Sequence, residues 1–176
     1  MIIIGIDPGL ATTGYGIVAF LPLRKNNPFR CISYGIISTE VTMPIPNRLK
    51  KLYQELTRII TVYKPEKMAV ESIFFFKNLK TALPVSQARG VILLAAAQKK
   101  LPVYEATPLQ VKMAISGYGR AEKNQMQEIV KVLLGLEETP RPDDAADALS
   151  IAIYCANNMK LPDVTAHLVG VSAKDR

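Results

Sequence analysis

The run IIIGI at residues 2–6 stops abruptly at Asp7-Pro8-Gly9. An apolar run this short, closed by turn residues, reads as a buried strand followed by a turn. Residues 15–20 and 31–38 are further β-rich runs, separated by the polar, proline-containing stretch LPLRKNNP, and the three together read as an antiparallel meander. No basic region precedes the first run and an aspartate interrupts it, so MIIIGID does not have the form of a secretory signal. The expectation is a cytoplasmic protein.

After the meander the periodicity changes. Between residues 46 and 63, Leu49, Leu52, Tyr53, Leu56, Ile59 and Ile60 recur at three- and four-residue intervals with basic residues between them, which predicts an amphipathic helix stopped by Pro65. Residues 67–73 follow as a second buried strand, 79–100 as a long helix and 103–106 as a short strand. Thr107-Pro108 supplies an N-cap and a first-turn proline for a helix through about residue 115. SGYGR is a break, 122–134 reads as another helix, and 143–158 as the last. A meander followed by alternating helices and strands indicates an α/β layer architecture with a mixed sheet. Residues 1–160 carry the pattern; 161–176 lack periodicity and read as a mobile tail.

The chain has 176 residues, enough for one full core without a disulfide or structural metal. Cys31 and Cys155 lack CxxC spacing and His167 is the sole histidine, so zinc and Cys-His chemistry are disfavoured and both thiols are expected free. The most membrane-like segment, 90–98, is about half of the ~18 residues that cross a bilayer. Lys and Arg total 22 against 15 Asp and Glu, a net charge of +7. Residues 24–80 carry a local excess of the same size, with 11 basic and 4 acidic residues. An imbalance of that kind attracts polyanions, nucleic acid above all.

Against this basic background the acids are informative. Asp7 stands at the carboxyl end of a strand, where ligand-binding groups collect in open α/β sheets, although a plain Asp-Pro-Gly turn gives the same three residues. Glu71 interrupts MAVESIFFF, the most apolar strand, where an unpaired charge would cost several kcal/mol; an outward-facing edge position is the alternative. In PDDAADALSIA, Asp144 and Asp147 share a helix face at i, i+3, and Asp143 and Asp147 share one at i, i+4. Spacing alone does not choose between Asp143 and Asp144, and Asp143 also suits a helix cap. Two carboxylates about 4 Å apart repel by about 4 kcal/mol at an effective dielectric of 20, so a cluster of four needs cations to stay ionised. All-oxygen ligands select Mg²⁺ or Mn²⁺, and such a site on a basic protein points to phosphoryl chemistry.

These residues carry a resemblance. GIDPG at 5–9 with GYG at 14–16, AVESIFFFKN at 69–78, QARG at 87–90, VKMAISGYGRAEKNQ from Val111 and DAADALSIA at 144–152 resemble, in order and spacing, the RuvC-type Holliday-junction resolvases. The resemblance implies an RNase H-like fold, with a mixed five-stranded sheet and helices on both faces. It implies an endonuclease that resolves four-way DNA junctions in recombination and repair by paired symmetric nicks. It assigns Asp7, Glu71, Asp144 and Asp147 as catalytic, metal-binding carboxylates for two Mg²⁺ ions, with Mn²⁺ able to substitute, and so favours Asp144 over Asp143. Phe74, Lys77, Lys112 and Lys123 match DNA-contacting positions, Phe74 by stacking on or wedging between bases. A homodimer is implied, as are RuvA and RuvB as partners. Two rival readings are a junction-binding relative without chemistry and an actin- or sugar-kinase-like ATP-binding fold, suggested by GIDPGLATTGYG; the latter needs a second phosphate motif and domain that this chain lacks.

Overall fold

The computed structural model describes residues 1–24, 27–72 and 79–158. In chain order the elements are β1 (Ile2–Asp7), β2 (Thr12–Phe20), β3 (Phe29–Ser38), α1 (Ile45–Tyr63), β4 (Lys67–Glu71), α2 (Leu79–Gln98), β5 (Val103–Ala106), α3 (Pro108–Ser116), α4 (Lys123–Leu134) and α5 (Asp143–Asn158). The strands form one five-stranded sheet in the order β3-β2-β1-β4-β5. The first three pair antiparallel, which is the predicted meander, while β4 joins β1 and β5 joins β4 in parallel.

Alternation along the strands divides the core in two. Ile4, Ile6, Ile17, Met68 and Val70 project from one face, where α1 contributes Leu52, Leu56, Ile59 and Ile60 and α2 contributes Ala88, Ile92, Ala95 and Ala96. Ile3, Val18 and Ala69 project from the other, against α3, α4 and α5. Helices therefore cover both faces, as expected.

Element ends follow tertiary pairing more closely than composition. β2 begins at Thr12 rather than residue 15, because Asp7 pairs with Gly14 and Thr12 pairs with Ser38, extending the ladder through glycines that are poor strand formers on their own. β3 begins at Phe29 rather than residue 31, where Phe29 stacks against Phe20 with ring centroids 5.7 Å apart. β4 ends at Glu71, short of residue 73, and α2 ends at Gln98, short of residue 100. The chain turns there through Lys100 in the left-handed region at φ 53°. Thr107 caps α3 as predicted, its hydroxyl accepting from the Gln110 backbone N–H at 3.2 Å while Gln110 Oε1 accepts from the Thr107 N–H at 2.9 Å. Cys31 and Cys155 are free, and burial pushes the Cys155 thiol up to about 12. Phe74 and Lys77 lie outside the described residues, as does the proposed tail.

Candidate active site

Asp7 and Glu71 are the last residues of neighbouring parallel strands, one step beyond the paired Ile6 and Val70. Period-two alternation puts Asp7 on the same face as Ile3 and Gly5, and Glu71 on the same face as Ala69. Both carboxyls therefore emerge at one corner of the sheet, on the side that α5 covers.

The helix reaches that corner because glycines let it. A Cβ built on Gly14, the residue paired with Asp7, would lie 1.9 Å from the carbonyl oxygen of Asp144. One on Gly5 would lie 2.0 Å from that of Ala148. Only residues without side chains allow the helix backbone this close. The close approach sets the first turns of α5 beside the ends of β1 and β4, with Asp144 and Asp147 facing Asp7. The sequence pattern showed these glycines only as parts of a motif; their alternation opposite an alanine-rich helix was the physical signal.

The electrostatics follow from the geometry. Burial pushes Asp7 up to about 8, reinforced in order by Glu71, Asp147 and Asp144. Burial also pushes Glu71 up to about 7, with Asp147 adding to it and a hydrogen bond with Asp7 opposing it. Asp147 is raised as well, mainly by burial and against the pull of Lys123. Burial and like charge thus act on both acids in the same sense, each favouring the protonated form.

Asp143 takes a different part. Its Oδ2 lies 2.9 Å from Lys123 Nζ, and its Oδ1 accepts a 2.7 Å hydrogen bond from Gln127 Nε2. These contacts hold its carboxyl below the usual range. The structure thus turns Asp143 toward α4 and away from the corner, and its side chain is occupied by α4 rather than by a helix cap. Asp147 and Asp144 raise Asp7, and Asp143 is not among the groups that do.

Beside the acids opens a cleft of about 200 Å³. Its polar lining comes from Glu71, Asp147, Lys112, Lys123 and Ser150, and Val111, Met126 and Ile151 form an apolar wall. Lys123 Nζ stands 3.9 Å from Asp147, so a cation already leans on the cluster. Among the described residues no three His, Cys, Asp or Glu side chains are gathered tightly enough to hold a metal ion as they stand. The donor set nonetheless fits a hard dication: every candidate ligand is a carboxylate oxygen, and the like-charge repulsion that raises Asp7 and Glu71 is what a bound cation would offset.

A mixed five-stranded sheet with acids at the ends of two adjacent parallel strands and on one crossing helix defines a nuclease of the RNase H-like class. The family model of the crossover junction endodeoxyribonuclease RuvC matches residues 3–155. The enzyme of that name from Desulforamulus reducens is 56% identical over 153 residues, covering 87% of this chain and 91% of the relative. Among solved structures, Thermus thermophilus RuvC superposes with a TM-score of 0.83 at 34% identity, covering 91% of this chain and 96% of that one. The same protein in complex with Holliday junction substrate gives 0.81 at 32% identity with the same coverage. The chain belongs to the RuvC family of crossover junction endodeoxyribonucleases. It is a hydrolase of junction DNA.

Proposed function

We propose that this chain cuts four-way junctions through the acid corner, with Asp7, Glu71, Asp144 and Asp147 as the ligands of two Mg²⁺ ions, Mn²⁺ serving in their place. The observation that carries the reading is the pair Asp7 and Glu71, two half-buried carboxyls raised to about 8 and about 7 beside a lysine-lined cleft. Perturbation by burial and like charge is the physical signature of a working site rather than of a turn or an exposed edge.

Bound dications would supply Lewis acidity, acidifying water and offsetting charge on the departing oxygen of an in-line displacement at phosphorus. The chain's own groups do the rest. Lys112 and Lys123 hold the phosphodiester in the cleft, Lys123 being kept there by Asp143, which Gln127 holds in turn. Val111, Met126 and Ile151 exclude water from one side of the cleft. Asp7 and Glu71, both raised by burial and like charge, would release their protons in order to hold the dications.

The chain acts as a homodimer, presenting two identical sites to a pseudo-symmetric junction, so that nicks fall in pairs. Helix α2 supports this, because it exposes Leu83, Gly90, Leu94 and Ala97, and a Cβ at Gly90 would meet nothing within 4 Å. Phe74 and Lys77 contact DNA on the strength of their motif alone. Partnership with RuvA and RuvB rests on family resemblance. Residues 1–160 are assigned to the nuclease domain, and 161–176 lie outside the described residues. A cytoplasmic location fits a junction-cutting enzyme, and among the described residues no helix is long and apolar enough to cross a membrane.

The test is cleavage of labelled four-way junction against linear duplex, with Mg²⁺ or with chelator, and the cuts mapped. Paired, metal-dependent nicks confined to the junction are expected. Asp7→Asn should lower cleavage by more than about 100-fold while junction binding persists, since phosphate contacts lie elsewhere. Metal-independent binding without nicks by the unaltered chain would favour a junction-binding relative without chemistry.

A further inference from the structure

The turn that follows Asp7 is tied by buried polar groups that the acid corner does not use. Three successive backbone carbonyls are each held. Gly9 O accepts from the hydroxyl of Thr13 at 2.5 Å, Leu10 O from the hydroxyl of Thr39 at 2.5 Å, and Ala11 O from the backbone N–H of Thr39 at 2.9 Å. Thr39 in turn accepts from Arg48 Nε at 2.8 Å. Thr13, Thr39 and Arg48 are 1%, 7% and 9% exposed, and they come from β2, the segment after β3 and the first turn of α1.

The direction of this chain of bonds is fixed. A hydroxyl has a single hydrogen, and a guanidinium can only donate. With Arg48 donating to Thr39, the Thr39 proton is committed to Leu10 O, and it cannot swing to another acceptor. Arg48 has no carboxylate partner among the described residues, so its burial is not explained by ion pairing. A long apolar side chain would fill the same space without the cost of burying a charge. What an apolar residue could not do is orient Thr39.

We propose that Arg48 and Thr39 are positioning residues for the nuclease reaction, acting through the turn at 9–11 to fix the carboxylate of Asp7. The inference rests on the role of Asp7 proposed above. Gly9 O is tied to β2, and Leu10 O and Ala11 O are both tied to Thr39; loss of the Thr39 hydroxyl bond loosens the turn next to Asp7, and misplacement of a reacting group by about 1 Å costs up to about 100-fold in rate.

The test compares Thr39→Val, which keeps the shape and removes the hydroxyl, with Thr39→Ser, which keeps the hydroxyl. Arg48→Lys and Arg48→Met serve as a second pair, since neither supplies the Nε–H, and as the recourse should Thr39→Val not fold. Asp7→Asn is run alongside. Thr39→Val and both Arg48 variants should lower single-turnover cleavage by about 10- to 100-fold. Junction Kd in chelator should stay within about threefold, and amide hydrogen exchange at residues 9–12 should accelerate, with Thr39→Ser close to the unaltered chain in all three. Unchanged cleavage by Thr39→Val, or equal losses in the Val and Ser variants, would overturn the proposal. Retained cleavage by Asp7→Asn would instead overturn the reading of the acid corner.

Discussion

Gly14→Ala is the sharpest single perturbation of the arrangement that gathers the acids. The added methyl would meet the Asp144 carbonyl oxygen at 1.9 Å and its carbon at 2.4 Å, both backbone atoms. Gly14 is paired on both sides, with Asp7 and with Ile36, so its strand cannot retreat. The first turn of α5 must yield instead, by about 1.5 Å, to restore an ordinary contact near 3.4 Å. Overpacking of this kind costs about 1–3 kcal/mol, partly offset by the ~0.4–1 kcal/mol gained when alanine restricts the unfolded chain. At about 2–4 °C per kcal/mol for a chain of this size, the melting temperature falls by a few degrees to about 10 °C. Asp144 and Asp147 ride on the displaced turn while Asp7 and Glu71 do not, so the expected loss in single-turnover cleavage is about 100-fold, with junction binding retained. Gly35→Ala is the control, because the nearest atoms its methyl would meet belong to the Tyr15 side chain, at 3.0 Å or more, on a strand away from the acids. Wild-type cleavage by folded Gly14→Ala would refute the claim that close docking of α5 assembles the site.

Two further outcomes follow from the same geometry. The folded, metal-free chain holds a proton on Asp7 up to about pH 8 and on Glu71 up to about pH 7, whereas the unfolded chain releases both near pH 4. Folding then binds protons across that window, so stability falls as pH rises from about 4 to about 8. Melting scans should show this decline, saturating Mg²⁺ should flatten it, and a melting temperature that climbs through the window would count against the buried pair. Leu94→Glu, placing a charge on the exposed face of α2 where Leu94 is 52% exposed, should yield monomers by sedimentation and unpaired nicks; a persistent dimer would move the interface elsewhere.

Much of this was legible in the sequence, and the parts that were not share a cause. The run before Asp7, the heptad-like spacing of Leu49 to Ile60 and the Thr107-Pro108 cap are local signals, and the corresponding elements lie where those signals put them. The extension of β2 back to Thr12 was not local. It depends on partners 7 and 26 positions away, Asp7 with Gly14 and Thr12 with Ser38, and such pairing overrides the weak strand preference of glycine. Spacing left Asp143 and Asp144 undecided for a similar reason: both lie in the first turn of α5, and the contacts of Asp143 with Lys123 and Gln127 come from α4, which local spacing does not show. Arg48 reads in sequence as one more basic residue on an amphipathic helix, and nothing in its spacing reveals that it is nine-tenths buried against Thr39.

The alanines of α5 and the glycines of β1 and β2 then have one joint explanation. Packed elements ordinarily sit with their axes about 8–10 Å apart because side chains stand between them. Here Ala145, Ala148 and Ala152 are fully buried, and the strand residues opposite, Gly5 and Gly14, have no side chains, so the helix backbone rests on the sheet itself. Aspartate is short, and carboxylates projecting from a helix and from a strand can serve one ligand only if their backbones nearly touch. A larger apolar interface would have stabilised the domain more, at about 25 cal/mol per Å² of buried surface. That stability has been forgone at the one contact where distance decides whether the acids meet, and the remainder of the core, Ile4, Ile6, Leu52, Leu56 and Met68 on the opposite face, carries the fold instead.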